Sequence, residues 1–311
     1  MILTLTLNPS LDEWIDLPRL AVGALNRATS FTRYPGGKGL NVSRVVRTLG
    51  GKTLAVALAG GSDGAILSRS LDALKLPHRF LTVPGLTRNN YKIRTASPRA
   101  LTQINSPGPR VSASSLRKVQ RLIRQLSARA SAVVCSGSLP PGAPVATYRR
   151  FIAPLSRRGC LTVLDTSGPA LKAGLAAHPW LIKPNLEELQ ELLGRRVSGM
   201  GGAARAARQL VERGPALALV SLGKAGAVLA VRGQQEVLVA KAPAVRVQST
   251  VGAGDSLVAG FLTGWLRTRS AQEAFRLGMA CGVAAVLTPG TELCRRQDVE
   301  RLLGRIRISR L

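Results

Sequence analysis

Short apolar runs alternate with helix-periodic stretches along nearly the whole 311-residue chain, and this rhythm restricts the fold more than any other feature. The strand-like runs fall at 2–7, 54–59, 132–135, 161–165, 180–183, 216–221 and 226–231. Between them lie patterns such as Val42, Val45, Val46 and Leu49, or Leu116, Val119, Leu122, Ile123 and Leu126. Their spacing is that of one face of a helix. Alternating β and α units predict an α/β fold with a mostly parallel sheet covered on both faces. Ligands then gather at the carboxyl ends of the strands. Two segments break the rhythm. Residues 12–34 read as loop-like and extended, and 88–105 as a hairpin around Ala96-Ser97-Pro98-Arg99. Together they suit a small sheet projecting from a single 1–311 domain as a lid, which would keep water from a bound ligand.

The charge is lopsided: 44 Lys and Arg against 16 Asp and Glu, for a net +28. Such a field attracts polyanions and phosphorylated substrates. The basic residues are nevertheless dispersed. Arg117, Lys118, Arg121, Arg124 and Arg129 follow one helix, and Arg149, Arg150, Arg157 and Arg158 the next. Neither a basic tail nor a nucleic-acid-binding motif accompanies them, so solvated helix faces are the more economical reading and a nucleic-acid partner is not expected. No apolar run reaches membrane-spanning length, and Met1–Leu7 alternates like a strand rather than a signal peptide, so a cytoplasmic location is expected. Cys135, Cys160, Cys281 and Cys294 are scattered, which points to free thiols rather than zinc ligands.

The densest chemical information lies in Ser249-Thr250-Val251-Gly252-Ala253-Gly254-Asp255-Ser256. The alternation of Val245 and Val247 before it reads as a strand, and Val258, Phe261, Leu262 and Trp265 after it read as a helix. The glycines thus fall at a helix N-terminus, where free N–H groups and the dipole hold anions. Asp255 in that turn is a poor phosphate ligand but a suitable base for a hydroxyl that attacks a phosphate. An N-cap Asp after a glycine turn is the plain alternative. Pro35-Gly36-Gly37-Lys38-Gly39-Leu40-Asn41 offers backbone donors plus Lys38 and Asn41, or simply a tight turn. In Lys183-Pro184-Asn185-Leu186-Glu187-Glu188, Asn185 and Glu188 can steer hydrated Mg²⁺ or form a capping box. Ser136-Gly137-Ser138 and Asp165-Thr166-Ser167-Gly168 each follow a strand. Two other motifs are decoys. Gly51-Lys52-Thr53 lacks the first P-loop glycine, which falls at Val46 inside a helix, and Gly199-Met200-Gly201-Gly202 follows a polar loop and reads as a helix start.

Taken together, these residues resemble the PfkB/ribokinase family of sugar kinases from Thr4 to Thr288-Pro289-Gly290-Thr291-Glu292. Both family signatures are present: Gly36-Gly37-Lys38-Gly39-Leu40-Asn41 and Thr250-Val251-Gly252-Ala253-Gly254-Asp255. Within the family, Thr6-Leu7-Asn8-Pro9-Ser10-Leu11-Asp12 and Ser136-Gly137-Ser138-Leu139-Pro140-Pro141-Gly142 resemble the hexose-phosphate branch. The resemblance implies Asp255 as catalytic base, with Gly252, Ala253 and Gly254 as the anion hole. It implies Asn185 and Glu188 for Mg²⁺, and Lys183, Asn185, Ser221, Gly223 and Gly226 near the nucleotide. Asp12, Gly37, Lys38, Asn41 and Ser138 match sugar-binding positions, and Arg27 and Arg88 match positions that hold the substrate's phosphate. ATP and Mg²⁺ are the implied cofactors, with a monovalent cation left open, and a homodimer through the lid is implied. Gly23-Ala24-Leu25-Asn26-Arg27-Ala28 and Thr102–Pro109 most resemble the members of that branch that phosphorylate fructose 1-phosphate, so the resemblance implies conversion of fructose 1-phosphate to fructose 1,6-bisphosphate. Alternatives are 6-phosphofructokinase or tagatose-6-phosphate kinase activity, and, from another class, a polyanion-binding protein on a kinase scaffold.

Overall fold

A computed structural model describes residues 1–311. The chain opens with β1 (Ile2–Thr6), β2 (Ser10–Leu17), β3 (Ser30–Gly36), α1 (Lys38–Thr48), β4 (Thr53–Ala59), α2 (Gly61–Ala73) and β5 (His78–Thr82). Next come β6 (Arg88–Thr95), β7 (Ala100–Asn105), α3 (Ala113–Ser127), β8 (Ala132–Ser136), α4 (Thr147–Ser156), β9 (Leu161–Asp165) and α5 (Gly168–Leu175). The third stretch holds β10 (Leu181–Ile182), α6 (Leu186–Leu193), α7 (Gly199–Glu212), β11 (Leu217–Ser221), a 3-10 turn (Gly223–Ala225), β12 (Ala227–Val231) and β13 (Leu238–Ala240). The last is α8 (Ala253–Thr268), α9 (Ala271–Ala285), α10 (Arg296–Leu303) and β14 (Ile308–Arg310).

The main sheet has ten strands in the order β14-β13-β12-β11-β10-β9-β8-β1-β4-β5. From β11 to β5 every pairing is parallel, and β12, β13 and β14 extend the sheet antiparallel. Period-two alternation divides each central strand between the two faces. Ile2, Val134 and Val163 pack with α1, α8, α9 and α10, while Leu3, Val133 and Leu164 pack with the helices of the opposite face. Strand order reverses between β1 and β8, the kind of switch point that opens a crevice at the strand ends.

The second sheet has the order β3-β2-β6-β7. It contains the hairpin expected at 88–105 and makes regular strands of much of the extended segment 12–34. Those residues contain most of β2 and most of β3, which pair antiparallel from Ser10↔Gly36 to Asp16↔Ser30. Only 18–29 form a connection. The strand expected around Val245 and Val247 is absent as well. Pro243 cannot donate to a ladder, β13 ends at Ala240, and Val247 is half exposed. The basic residues of α3 and α4 are exposed, as solvated helix faces require. No helix is long and apolar enough to cross a membrane.

Candidate active site

A cavity of about 350 Å³ lies between the two sheets at the carboxyl ends of the strands, and Val251 is its single hydrophobic lining residue. Asp255 lies in the first turn of α8, whose N-cap Gly252 has φ 79°, a left-handed conformation that suits glycine. The turn that exposes the helix's N–H groups therefore also turns Asp255 into the cavity. Asn41 Nδ2 donates to Asp255 Oδ2 at 2.8 Å, and Oδ1 accepts no hydrogen bond from the protein. Asn41 is itself held by Arg44, which donates to Asn41 Oδ1 at 3.2 Å and to the Thr291 carbonyl at 2.9 Å. Arg44 fixes which end of the amide faces Asp255; its basic character gave no sequence cue for this role.

A helix N-terminus ordinarily favours a carboxylate. Asp255 runs the other way: burial and the nearby Asp165 charge push it up to about 6, against the pull of Lys38, Asn41 and Lys183. Such a value suits a base working near neutral pH. Asp165 ends β9 and is fully buried. Burial opposes its ionised form, but Lys183 and Lys38 outweigh that and lower its pKa. Lys38 Nζ donates to Asp165 Oδ1 at 3.0 Å, and Lys183 Nζ lies 3.4 Å from the same oxygen. Burial opposes the Lys38 ammonium too, yet Asp165, Asp255 and Glu188 raise its pKa above the ordinary value. Two ammonium groups thus stand fixed over a buried carboxylate, next to the base. A group receiving negative charge there meets preorganised positive charge.

These charges give a pH prediction. With Asp255 as the base that the sequence analysis expects, the acid limb of kcat/KM should fall near pH 6, where the carboxylate becomes protonated. Asp165→Asn removes a charge that raises that pKa and frees two lysines that lower it. Its acid limb is expected at lower pH than that of the wild type. An unmoved or upward-shifted limb in a folded variant would contradict the assignment.

Asn185 and Glu188 form a complete capping box on α6: Asn185 Oδ1 accepts from the Glu188 N–H at 2.8 Å, and Glu188 Oε2 from the Asn185 N–H at 2.9 Å. The capping reading therefore holds. It leaves Glu188 Oε1 unused, 4.0 Å from Lys38 Nζ, and both residues line the cavity. No cluster of three His, Cys, Asp or Glu residues can hold a metal alone. The donor set fits Mg²⁺ that keeps most of its ligands as water and substrate phosphate.

At the other end of the cavity Arg88 donates through Nε to the Asn8 carbonyl and through Nη1 to that of Ser106, both at 3.2 Å. Asp12 stands on β2 and accepts from Ser10, Asn90 and Lys92. Gly37, Lys183, Ser221, Gly252 and Gly254 also face the cavity. Five expected residues do not line it. Ala253 lies behind the glycines as the first residue of α8. Ser138 accepts from Asn8 Nδ2 at 3.2 Å, beside the Arg88 anchor. Gly223 opens the 3-10 turn beyond Ser221, and Gly226 caps it. Arg27 is exposed in the 18–29 connection between β2 and β3. Conversely, Ser10, Asn90 and Lys92 line the cavity although the sequence reading gave none of them a role in the site. The period-two spacing of Arg88, Asn90 and Lys92 on a strand carried that information.

Comparison with known proteins agrees with this geometry. The pfkB family carbohydrate kinase model matches residues 5–298. The 1-phosphofructokinase of Bacillus subtilis is 35% identical over 311 residues, covering 100% of both chains. The ATP-dependent 6-phosphofructokinase isozyme 2 of Mycobacterium tuberculosis is 36% identical over 301 residues, covering 96% of this chain and 88% of the relative. Among solved structures, phosphofructokinase-2 from Escherichia coli in complex with substrates and products superposes with a TM-score of 0.92 at 32% identity, covering 98% of each chain. Ribokinase from Arabidopsis thaliana, at 22% identity and a TM-score of 0.78, shares the fold. Fold, cavity and sequence match converge, and this chain belongs to the pfkB family of carbohydrate kinases.

Proposed function

We propose that the cavity transfers the γ-phosphoryl group of ATP to the C6 hydroxyl of fructose 1-phosphate, giving fructose 1,6-bisphosphate. The observation that carries the reading is Asp255, held by Asn41 with a pKa near 6 at a glycine-lined helix N-terminus. In this reading Asp12 and Asn41 orient the sugar, and Arg88 binds the phosphate it already bears through paired N–H donors. Asp255 Oδ1 takes the hydroxyl proton as the oxygen attacks phosphorus in line. The Gly252–Gly254 backbone, with Lys38 and Lys183, stabilises charge on the transferred group. Ser221 and the Gly223–Gly226 turn border the nucleotide. Mg²⁺ supplies charge neutralisation on the nucleotide phosphates, and Glu188 and Asn185 would hold it through water. Because one homologous E. coli structure is described in complex with potassium, assays should be run with and without K⁺.

The second sheet acts as the lid in this account, and dimerisation would use its outer face. Phe31 on β3 and Ile104 on β7 are 54% and 53% exposed, on the same face as Ile15 and Ile93. A cytoplasmic location is consistent with the absence of a membrane-spanning helix. The intact set of cavity residues argues against a retired scaffold that merely binds polyanions.

Relatives named for 6-phosphofructokinase activity favour a second substrate, fructose 6-phosphate. Comparing kcat/KM for fructose 1-phosphate, fructose 6-phosphate and tagatose 6-phosphate with ATP and Mg²⁺ separates the readings. Fructose 1-phosphate is expected to lead by about tenfold or more, since a few altered contacts change discrimination by that much. Preference for a 6-phosphate would reject the substrate while keeping the chemistry.

A further inference from the structure

Strand β6 turns Arg88, Asn90 and Lys92 to one face, and all three line the cavity. Arg88 is tied to two carbonyls, and Asn90 Nδ2 donates to Ser10 Oγ and Asp12 Oδ1. Lys92 differs. Its side chain is 5% exposed, and its ammonium makes a single hydrogen bond, to Asp12 Oδ2 at 2.6 Å. It also lies 5.8 Å from the centre of the Trp14 ring. An ammonium carries three donors, so two remain for whatever fills the cavity. Beside it, the buried Asn90 Oδ1 has no partner either.

Stability alone does not account for this arrangement. A buried ion pair gains little over an apolar pair of the same volume, and donors left unpaired in a low-dielectric wall are costly. Asp12 is nearly saturated, since Ser10, Asn90, Lys92 and, at 3.4 Å, Thr291 all donate to it. Free hydrogen-bonding capacity at this end therefore rests with Lys92 more than with Asp12. A hydroxyl can accept from the ammonium while donating to a neighbouring oxygen, the donor–acceptor pairing that a polyhydroxyl ligand meets well.

We infer that Lys92 is a substrate-binding residue, one that contacts the sugar's hydroxyl oxygens and holds Asp12 beside them. The inference rests on the sugar-phosphate kinase reading. Calorimetric binding of fructose 1-phosphate, fructose 6-phosphate and tagatose 6-phosphate without ATP tests it, on the wild type, Lys92→Met and Lys92→Gln. KM values for sugar phosphate and ATP, and melting temperatures, complete the set. Lys92→Met is expected to weaken sugar-phosphate binding by about 10- to 100-fold, the worth of a charged hydrogen bond, with KM for ATP nearly unchanged. Lys92→Gln keeps a donor for Asp12, so it should melt near the wild-type temperature and still bind the sugar phosphate more weakly. Wild-type sugar affinity in folded Lys92→Gln, or equal losses toward sugar and ATP, would make Lys92 a structural residue and overturn the inference. A wild type that binds none of the three sugar phosphates would overturn the functional reading and this inference together.

Discussion

Asp255→Asn is expected to lower kcat by about 10²- to 10⁴-fold, the range for loss of a positioned general base, with sugar-phosphate affinity nearly unchanged. The asparagine keeps the shape and can still accept from Asn41, so the loss isolates proton transfer. The same variant should gain stability. Because Asp255 titrates near 6 in the folded protein and near 3.8 when unfolded, the native state binds the proton more tightly. Stability therefore falls as pH rises through that window, and above it the native state carries a penalty of up to about 3 kcal/mol. Asparagine removes that penalty. At pH 7.5 the variant should melt about 5 °C above the wild type, and the gain should vanish toward pH 4. Wild-type turnover, or a melting gain independent of pH, would contradict the assigned role.

Gly226→Ala is expected to be the most destabilising small substitution around the cavity. Gly226 has φ 114° and ψ −137°, a region that side chains avoid, and a Cβ there would overlap the Ala240 carbonyl on β13. Backbone cannot move aside without breaking the β12–β13 pairing. A loss of more than about 3 kcal/mol follows, read as a lower melting temperature, and under the proposed function ATP binding weakens with it. Gly223→Ala is the control: φ is 57° but its Cβ would meet nothing within 4 Å, so only the left-handed conformation costs, about 1 kcal/mol. Equal effects in the two variants would show that the contact with Ala240 is not what requires glycine.

The sequence reading succeeded where pattern and chemistry coincide. Buried parallel strands such as β8 and β11 are continuous apolar runs, and glycine-rich turns before helices announced the Gly37 and Gly252 positions. It failed where tertiary context decides. Strand β5 is a half-exposed edge strand and β13 and β14 hold three residues each, too short for a period to show. Val245 and Val247 alternate correctly, yet no neighbouring strand pairs with them. In the cavity, Lys92 resembled any surface lysine until pairing with β2 set it against Asp12.

The most direct test of phosphoryl transfer through Asp255 measures ADP formation by the wild type and Asp255→Asn, with and without fructose 1-phosphate, in the presence of ATP and Mg²⁺. ADP should form with the wild type only when the sugar phosphate is present, in step with a bisphosphate product, and be nearly absent with the variant. ADP release that ignores the sugar phosphate, or a variant as fast as the wild type, would contradict the account.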